Sequence, residues 1–152
     1  LQNNLPDWIP TLDPNVANRL EVAKNAKTID YIKALEKLSK LSTIVWNKLD
    51  SVDVLAIPTV PISPPMLSDV TDPKDYSEKN ILALSNTMPI NTLGLCAISI
   101  PIGKDKFGMP VGLQLVTLPD REESLIAVAL GIEKKYGTPI EQFGPPPLGG
   151  NL

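Results

Sequence analysis

The sequence predicts an α/β fold in which a mixed β-sheet is flanked by helices, and three observations favour it. Residues 15–57 contain no proline and carry apolar residues at helical spacing. A short branched apolar run at 52–57 is typical of a strand buried on both faces, as in parallel or mixed sheets. Two further apolar runs, at 97–102 and 111–116, precede another helical pattern. The 152 residues suit one domain or a large piece of one, and their 43% apolar content can fill a core.

The amino-terminal segment, 1–50, is predicted to be helical. Asp13 followed by Pro14 is an N-cap with proline at the first helical position, and the short helix it opens should end near Asn25. Thr28 is expected to cap a second helix of about 22 residues, roughly 33 Å long. Such a helix should lie along a large body, because it carries one apolar stripe. The stripe consists of Ile32, Leu35, Leu38, Leu41, Val45 and Leu49.

The middle of the chain is predicted to form a strand, a long loop and a helix. The strand covers 51–58, and the loop covers 59–76, where several prolines interrupt regular structure. Loops of this length more often serve a function than merely join two elements. The helix covers 77–92, because apolar residues recur there at intervals of three and four. Three such residues share one side of it: Ile81, Leu84 and Met88.

The last third is predicted to form two strands and a helix before an irregular tail. The strand pair occupies 96–117, and the glycines and proline between its halves favour antiparallel pairing. Asp120 is expected to cap a helix over 120–136, with a glutamate three residues later as in a capping box. Gly137 stands where a helix commonly ends. The tail, 137–152, has no core to join.

Composition excludes several classes of chemistry. The chain has no histidine and one cysteine, so it contains neither a Ser-His-Asp triad nor an imidazole-ligated zinc site, and no metal or cofactor is predicted. The single thiol, Cys96, is expected to be a small buried side chain, and it favours a reducing, cytoplasmic location.

A net charge of −3 with two arginines disfavours nucleic acid as a partner. The longest nearly apolar stretch, 93–102, is far below the roughly 20 residues of a membrane helix. No methionine stands at position 1, and we expect the chain to begin within a longer protein.

Three segments in a fixed order and spacing are shared with a known family. They are DVLAIPT at 53–59 with further prolines behind it, NxxGLxAISIP at 91–101, and GMPVGLQL at 108–115. Together with LDP at 12–14 and DYxxA at 30–34, they resemble the carboxy-terminal part of the amidase signature family. The resemblance covers nearly the whole chain. It implies the carboxy-terminal portion of the amidase signature fold and a serine hydrolase of amide bonds.

The resemblance also implies where the catalytic groups lie. Members of the family use a Ser–cis-Ser–Lys arrangement, in which the lysine accepts a proton, the bridging serine relays it, and the other serine attacks the carbonyl. A lysine with a lowered pKa can replace imidazole as the base. Those groups lie toward the amino terminus of family members, and nothing here matches them. Ser39 beside Lys40, and Ser77 near Lys79, lack a glycine-rich turn and are expected to face solvent. No catalytic residue is predicted, and the chain alone is expected to be inactive.

A substrate-binding surface is carried over by spacing from Asn91. In related amidases the preceding helix lines the acyl side of the pocket, and the facing positions here are Ile81, Leu84 and Met88. The A chains of glutamine-dependent amidotransferases have an aspartate at the position of Leu84, where it holds the substrate's amino group. Leucine does not accept that bond, so the resemblance favours a less polar amide. Core packing is the alternative explanation of the same apolar stripe.

The predicted function is therefore the carboxy-terminal part of an amidase that converts an amide to a carboxylate plus ammonia or an amine. Its expected partners are a small-molecule amide and the amino-terminal part of the same amidase, or a complementary chain, with neither nucleic acid nor membrane involved. We expect a wide exposed apolar face, because the predicted strands are too few to close a sheet. Two alternatives stay open: a noncatalytic binding or assembly domain with an amidase-like half-fold, and the A subunit of a glutamine-dependent tRNA amidotransferase.

Overall fold

The structure, a computed structural model, describes residues 11–14, 16–17 and 25–145. It contains both helices and a β-sheet, which confirms the α/β class. The elements in chain order are α1 (Thr28–Leu49), β1 (Leu55–Pro58), a 3₁₀ turn (Leu67–Val70), α2 (Pro73–Leu84), α3 (Thr87–Thr92), β2 (Cys96–Lys104), β3 (Pro110–Thr117), α4 (Glu122–Tyr136) and α5 (Pro139–Phe143).

The three strands form one sheet in the order β1-β3-β2. Both pairs are antiparallel, with Ile57 opposite Gln114 and Gln114 opposite Ser99. The described strands by themselves thus contain no parallel pair, and their antiparallel hairpin β2–β3 is the one predicted from the glycine-rich connector. A bulge interrupts the register between Pro101 and Gly103.

The first strand is shorter and more exposed than predicted. It begins at Leu55 rather than at residue 51, because residues 50–53 form turns at the end of α1. One of these turns is closed by the Val52 N–H, which donates to the Leu49 carbonyl at 3.1 Å. Among the described strands, β1 pairs with β3 alone and lies at the edge, so the expectation of burial on both faces is wrong for this strand.

The core lies where α4 covers one face of the sheet. Leu115 in the central strand packs with Ile100 of β2 and with Leu125 and Ala129 of α4. The next residue, Val116, points to the opposite face because strand side chains alternate, and it is completely buried. The centre of β3 is therefore covered on both sides.

Helix α1 has the predicted bounds, and no residue in it is buried. Its cap differs from the prediction: Lys27 is the N-cap and makes no side-chain cap bond, so Thr28 is already the first helical residue. The helix is tied to the rest of the chain near its end, where the Trp46 indole N–H donates to the Leu93 carbonyl at 3.1 Å. Its stripe is incompletely covered: Leu38, Val45 and Leu49 are half-buried, and Ile32, Leu35 and Leu41 are exposed.

The predicted loop and helix over 59–92 are divided differently in the structure. The loop contains the 3₁₀ turn, and α2 begins already at Pro73, capped by the Asp72 carboxylate, which accepts from the Lys74 N–H at 2.8 Å. The predicted helix at 77–92 is two helices, α2 and α3. Pro89 has no N–H for an intrahelical bond, and the structure places it in the first turn of α3, where none is needed.

The start of α4 was also predicted incorrectly. Asp120 does not cap α4: it has a positive φ of 59°, and Arg121 is the N-cap without a side-chain bond. The capping box lies instead in the tail, where Thr138 and Glu141 bond reciprocally and begin α5. Gly137 does end α4, with a φ of 91° that favours glycine.

The predicted short helix at the amino terminus falls only partly on described residues. A helical turn begins at Pro14, with the Ala17 N–H donating to the Asp13 carbonyl at 2.9 Å. Most of the remaining residues of that predicted helix, and the end of the tail beyond residue 145, lie outside the described residues. Within the described part of the chain, no helix has both the length and the apolar character that a membrane span requires.

Candidate functional site

A cavity of about 560 Å³ opens at one end of the sheet. Loop 59–65, which follows β1, forms one wall, and the middle of β2 and the beginning of β3 form another. Ala83 of α2 and Asp105 of the β2–β3 connector complete the lining. The volume falls within the roughly 300–1,000 Å³ of typical small-molecule pockets. This cavity is therefore the first candidate for a binding site.

Loop 59–65 lies directly against β3 at the base of the cavity, at a position where β3 has a glycine. The Thr59 and Ser99 hydroxyls hydrogen-bond to each other across Gly112. A Cβ at Gly112 would stand 2.7 Å from the Thr59 Oγ1 and 2.9 Å from the Ser99 Oγ, closer than real Cβ contacts. The Thr59 N–H also donates to the Gly112 carbonyl at 2.9 Å. The close approach of the loop thus depends on the missing side chain.

The junction between α2 and α3 is held beside the same cavity. The side-chain amide of Asn86 donates to the carbonyl of Pro58, the last residue of β1, at 2.8 Å. This bond joins residues 28 positions apart and brings the end of α2 next to the start of loop 59–65. Ala83 lines the cavity as a result.

Asp105 is the acidic group among the described residues that line the cavity, and none of those residues is basic. Its Oδ1 accepts from the Phe107 N–H at 2.8 Å and from the Met109 N–H at 2.9 Å. The Ser63 hydroxyl bond lowers the pKa of Asp105 most, and the Met109 N–H bond lowers it further. Since all three partners donate to the charged form, the carboxyl stays ionised at neutral pH.

A buried amide lies next to the hydroxyl pair. Gln114 is 6% exposed and stands directly opposite Ser99, so the two side chains lie on the same face of the sheet. The Oε1 atom of Gln114 has no hydrogen-bond partner among the described residues. Buried polar atoms are rarely left unpaired, so this oxygen is an exception, although Gln114 does not itself line the cavity.

The structure separates the three predicted substrate-binding residues. Ile81 and Leu84 lie on α2, while Met88 lies on α3, beyond the break. Their exposed fractions are 62%, 40% and 53%, and none of them lines the cavity. Because these three side chains are exposed, packing in the described core does not explain why they are apolar. The substrate-binding assignment stays a prediction.

Sequence reasoning missed the residues that do shape the cavity. Gly112 offered a signal, because a glycine inside a strand pattern often marks close backbone approach. Asp105 offered another, since an aspartate in a glycine-flanked connector commonly bonds to backbone N–H groups two residues on. Thr59 and Ser99 carried no signal, because their pairing depends on how distant segments meet.

The single thiol has an ordinary structural role in the described chain. Cys96 is half-buried rather than fully buried, and its Sγ donates to Glu122 Oε1 at 3.2 Å. This bond lowers the pKa of Glu122. Across the described residues, no three histidine, cysteine or acidic side chains come together as metal ligands would.

Comparison with known proteins gives one consistent result. A sequence model described as Amidase matches residues 10–126. Over 148 residues, 97% of this chain and 32% of the relative, the chain is 38% identical to 2-amino-5-chloromuconic acid deaminase of Comamonas testosteroni. Over 96 residues, 59% of this chain and 22% of the relative, it is 43% identical to the A chain of the glutamyl-tRNA(Gln) amidotransferase of Halobacterium salinarum.

Solved structures agree on the fold. Allophanate hydrolase of Kluyveromyces lactis superposes with a TM-score of 0.79 at 23% identity, over 94% of this chain and 24% of that one. At this identity the likeness concerns the fold alone. The chain spans about a third or less of the proteins it matches.

Proposed function

The chain belongs to the amidase family, and on that premise we propose that it is the carboxy-terminal part of an enzyme that hydrolyses a carbon–nitrogen amide bond. The products are a carboxylate and either ammonia or an amine. One observation carries the proposal: the sequence model described as Amidase matches residues 10–126, which is most of the chain. The location proposed with it is cytoplasmic.

The proposal places the catalytic Ser–cis-Ser–Lys groups outside this chain. The serine and lysine neighbours present here support this, because Ser39 and Lys40 are exposed on α1, and Ser77 and Lys79 are exposed on α2. A Ser–cis-Ser–Lys arrangement needs its serines and lysine to converge on one substrate beside an oxyanion-binding turn. Neither pair has a glycine-rich turn beside it, so the chain alone should not hydrolyse amides.

The proposed partner is the amino-terminal part of the same amidase, or a complementary chain that replaces it. The exposed half of the α1 stripe, Ile32, Leu35 and Leu41, supports this because the relatives are about three times longer. The edge of β1 that faces away from β3 is a second surface for additional structure, since an unpaired strand edge invites pairing. A partner that covers the exposed α1 residues and pairs with the free edge of β1 would complete a helix layer and a sheet that the described residues leave open.

The substrate proposed is a small-molecule amide whose acyl side is less polar than glutamine. Leu84 supports this choice, because an ammonium group placed against leucine would lose water without gaining a partner. The same residue weighs against the A chain of a glutamine-dependent amidotransferase, although relatives of that name align with the chain. A noncatalytic assembly domain is the remaining alternative.

Hydrolysis by the longer protein is the test of the function. The protein that carries this chain together with an amino-terminal amidase part should release ammonia or amine from simple aliphatic or aromatic amides. The 152-residue chain alone should release none above background. Product release is measured by coupled ammonia detection and by chromatography across a panel of amides. A complete and folded protein that cleaves nothing in the panel contradicts the proposal and favours the assembly domain.

Substitution of Leu84 tests the substrate-binding assignment. In the active protein, Leu84→Asp should lower kcat/KM for apolar amides about tenfold, because a carboxylate in an apolar pocket disfavours an uncharged acyl group. Leu82→Asp is the matched control, since Leu82 lies on the same helix with a similar exposure of 43%. It should change kcat/KM less than about twofold. An unchanged kcat/KM in the Leu84 variant would remove this residue from the pocket.

A further inference from the structure

We propose that the cavity behind loop 59–65 binds a small organic ammonium ion, with the charged nitrogen against Asp105 and an alkyl body against the proline-rich wall. The inference goes beyond the proposed function, because it concerns equilibrium binding and involves neither the hydrolytic reaction nor the catalytic groups. Loss of hydrolysis would leave it standing, and loss of binding would leave the hydrolase proposal standing.

Charge is the first argument for a cation. Fourteen residues line the cavity, and among them Asp105 is the acid while none is basic. A carboxylate offers about four lone-pair positions, and the Phe107 and Met109 N–H groups both bond to Oδ1 of Asp105, so capacity is left for an ammonium N–H. Lys106, its neighbour in sequence, does not line the cavity and has its Nζ 5.0 Å from the centre of the Phe107 ring. The Lys106 charge helps to lower the pKa of Asp105 from outside the lining, so an anionic ligand would meet the Asp105 charge with no cation among the lining residues.

The shortage of donors is the second argument. Five of the fourteen lining residues are prolines, which have no backbone N–H. A carboxylate or phosphate ligand needs donors from the protein, and the proline part of this wall has no backbone donor to offer. An ammonium group brings three donors and needs only acceptors. The acceptors in the lining are the Asp105 carboxylate and the oxygens of the Thr59–Ser99 pair.

The remaining lining suits an alkyl body. Val60, Ile62, Ala83 and Val111 are apolar and are joined by the proline rings. Since the cavity encloses about 560 Å³, a chain of several methylene groups fits beside the charged end. Contact with this wall should therefore add affinity with each methylene group.

Binding of three probes of equal length tests the proposal. n-Hexylammonium, 1-hexanol and hexanoate are titrated into the full chain and followed by NMR chemical shifts. We expect n-hexylammonium to bind about fivefold more tightly than 1-hexanol, and hexanoate to bind more weakly than either. Hexanoate binding as tightly as n-hexylammonium overturns the proposal.

A substitution that keeps the turn isolates the charge. Asp105→Asn retains an Oδ1 acceptor for the Phe107 and Met109 N–H groups, so the connector should keep its shape. It should weaken n-hexylammonium binding about fivefold and leave 1-hexanol binding unchanged. Asp69→Asn is the control, because this exposed aspartate lies on the 3₁₀ turn away from the cavity lining. If the affinity for n-hexylammonium falls equally in both variants, the ion is attracted by the net charge of the chain, and the proposed site is overturned.

A measurement on the unaltered chain keeps the proposal testable if either variant is unstable. Nuclear Overhauser contacts between the hexyl methylene protons and the side chains of Val60 or Val111 are expected. Bound n-hexylammonium that shows contacts only with residues outside the cavity contradicts the inference.

Discussion

Replacing Leu115 by alanine should lower the free energy of unfolding by about 3 kcal/mol. Leu115 is 2% exposed in the central strand, and it packs against Ile100, Leu125 and Ala129. Removing its side chain loses transfer free energy and leaves a cavity that the antiparallel ladder on both sides prevents from collapsing. Urea unfolding followed by far-UV circular dichroism measures the change, and the dependence on urea concentration should stay the same.

Leu35→Ala is the matched control for this prediction. It removes the same atoms from a leucine that is 46% exposed on α1, so the loss should stay below about 1 kcal/mol. Equal losses at Leu35 and Leu115 would mean that α1 is covered within the chain itself. That result would contradict both the described core and the proposed partner surface.

The sequence predicted α1 to within one residue, and the physical reason is that its signals are local. A run without proline and a stripe at three- and four-residue intervals specify a helix wherever it packs. The division of the next helix was missed because Pro89 is compatible with a first turn as well as with a helix end. The start of β1 was missed because Val52 fits a strand pattern, whereas turn hydrogen bonds at the end of α1 hold its backbone.

The candidate site was less predictable than the fold, because distant segments build it. The hydroxyls of Thr59 and Ser99 hydrogen-bond although 40 residues separate them in sequence. Asp105 likewise approaches Ser63 where loop 59–65 lies against the β2–β3 hairpin. The spacing of apolar residues indicates which face of a strand is buried. It does not indicate the register in which two strands pair, or where a loop lies against them. The family resemblance supplied the family, whereas the cavity depends on how loop 59–65, α2 and the paired strands meet.

Gly112→Val should lower the free energy of unfolding by about 3 kcal/mol, at the upper end of typical overpacking losses. The new Cβ would stand within 3.2 Å of the Thr59 Cβ as well as against both hydroxyls, so loop 59–65 must move away from β3.

Gly103→Val is the control: it also places valine in this hairpin, but its Cβ meets nothing within 4 Å, and stability should change by less than about 0.5 kcal/mol. Replacing Thr59 and Ser99 by alanine in the Gly112→Val background removes the two oxygens that the side chain meets, and it should recover part of the loss. Thermal and urea unfolding give these values, and equal stability of the two glycine variants would show that the loop does not lie against the sheet at this point.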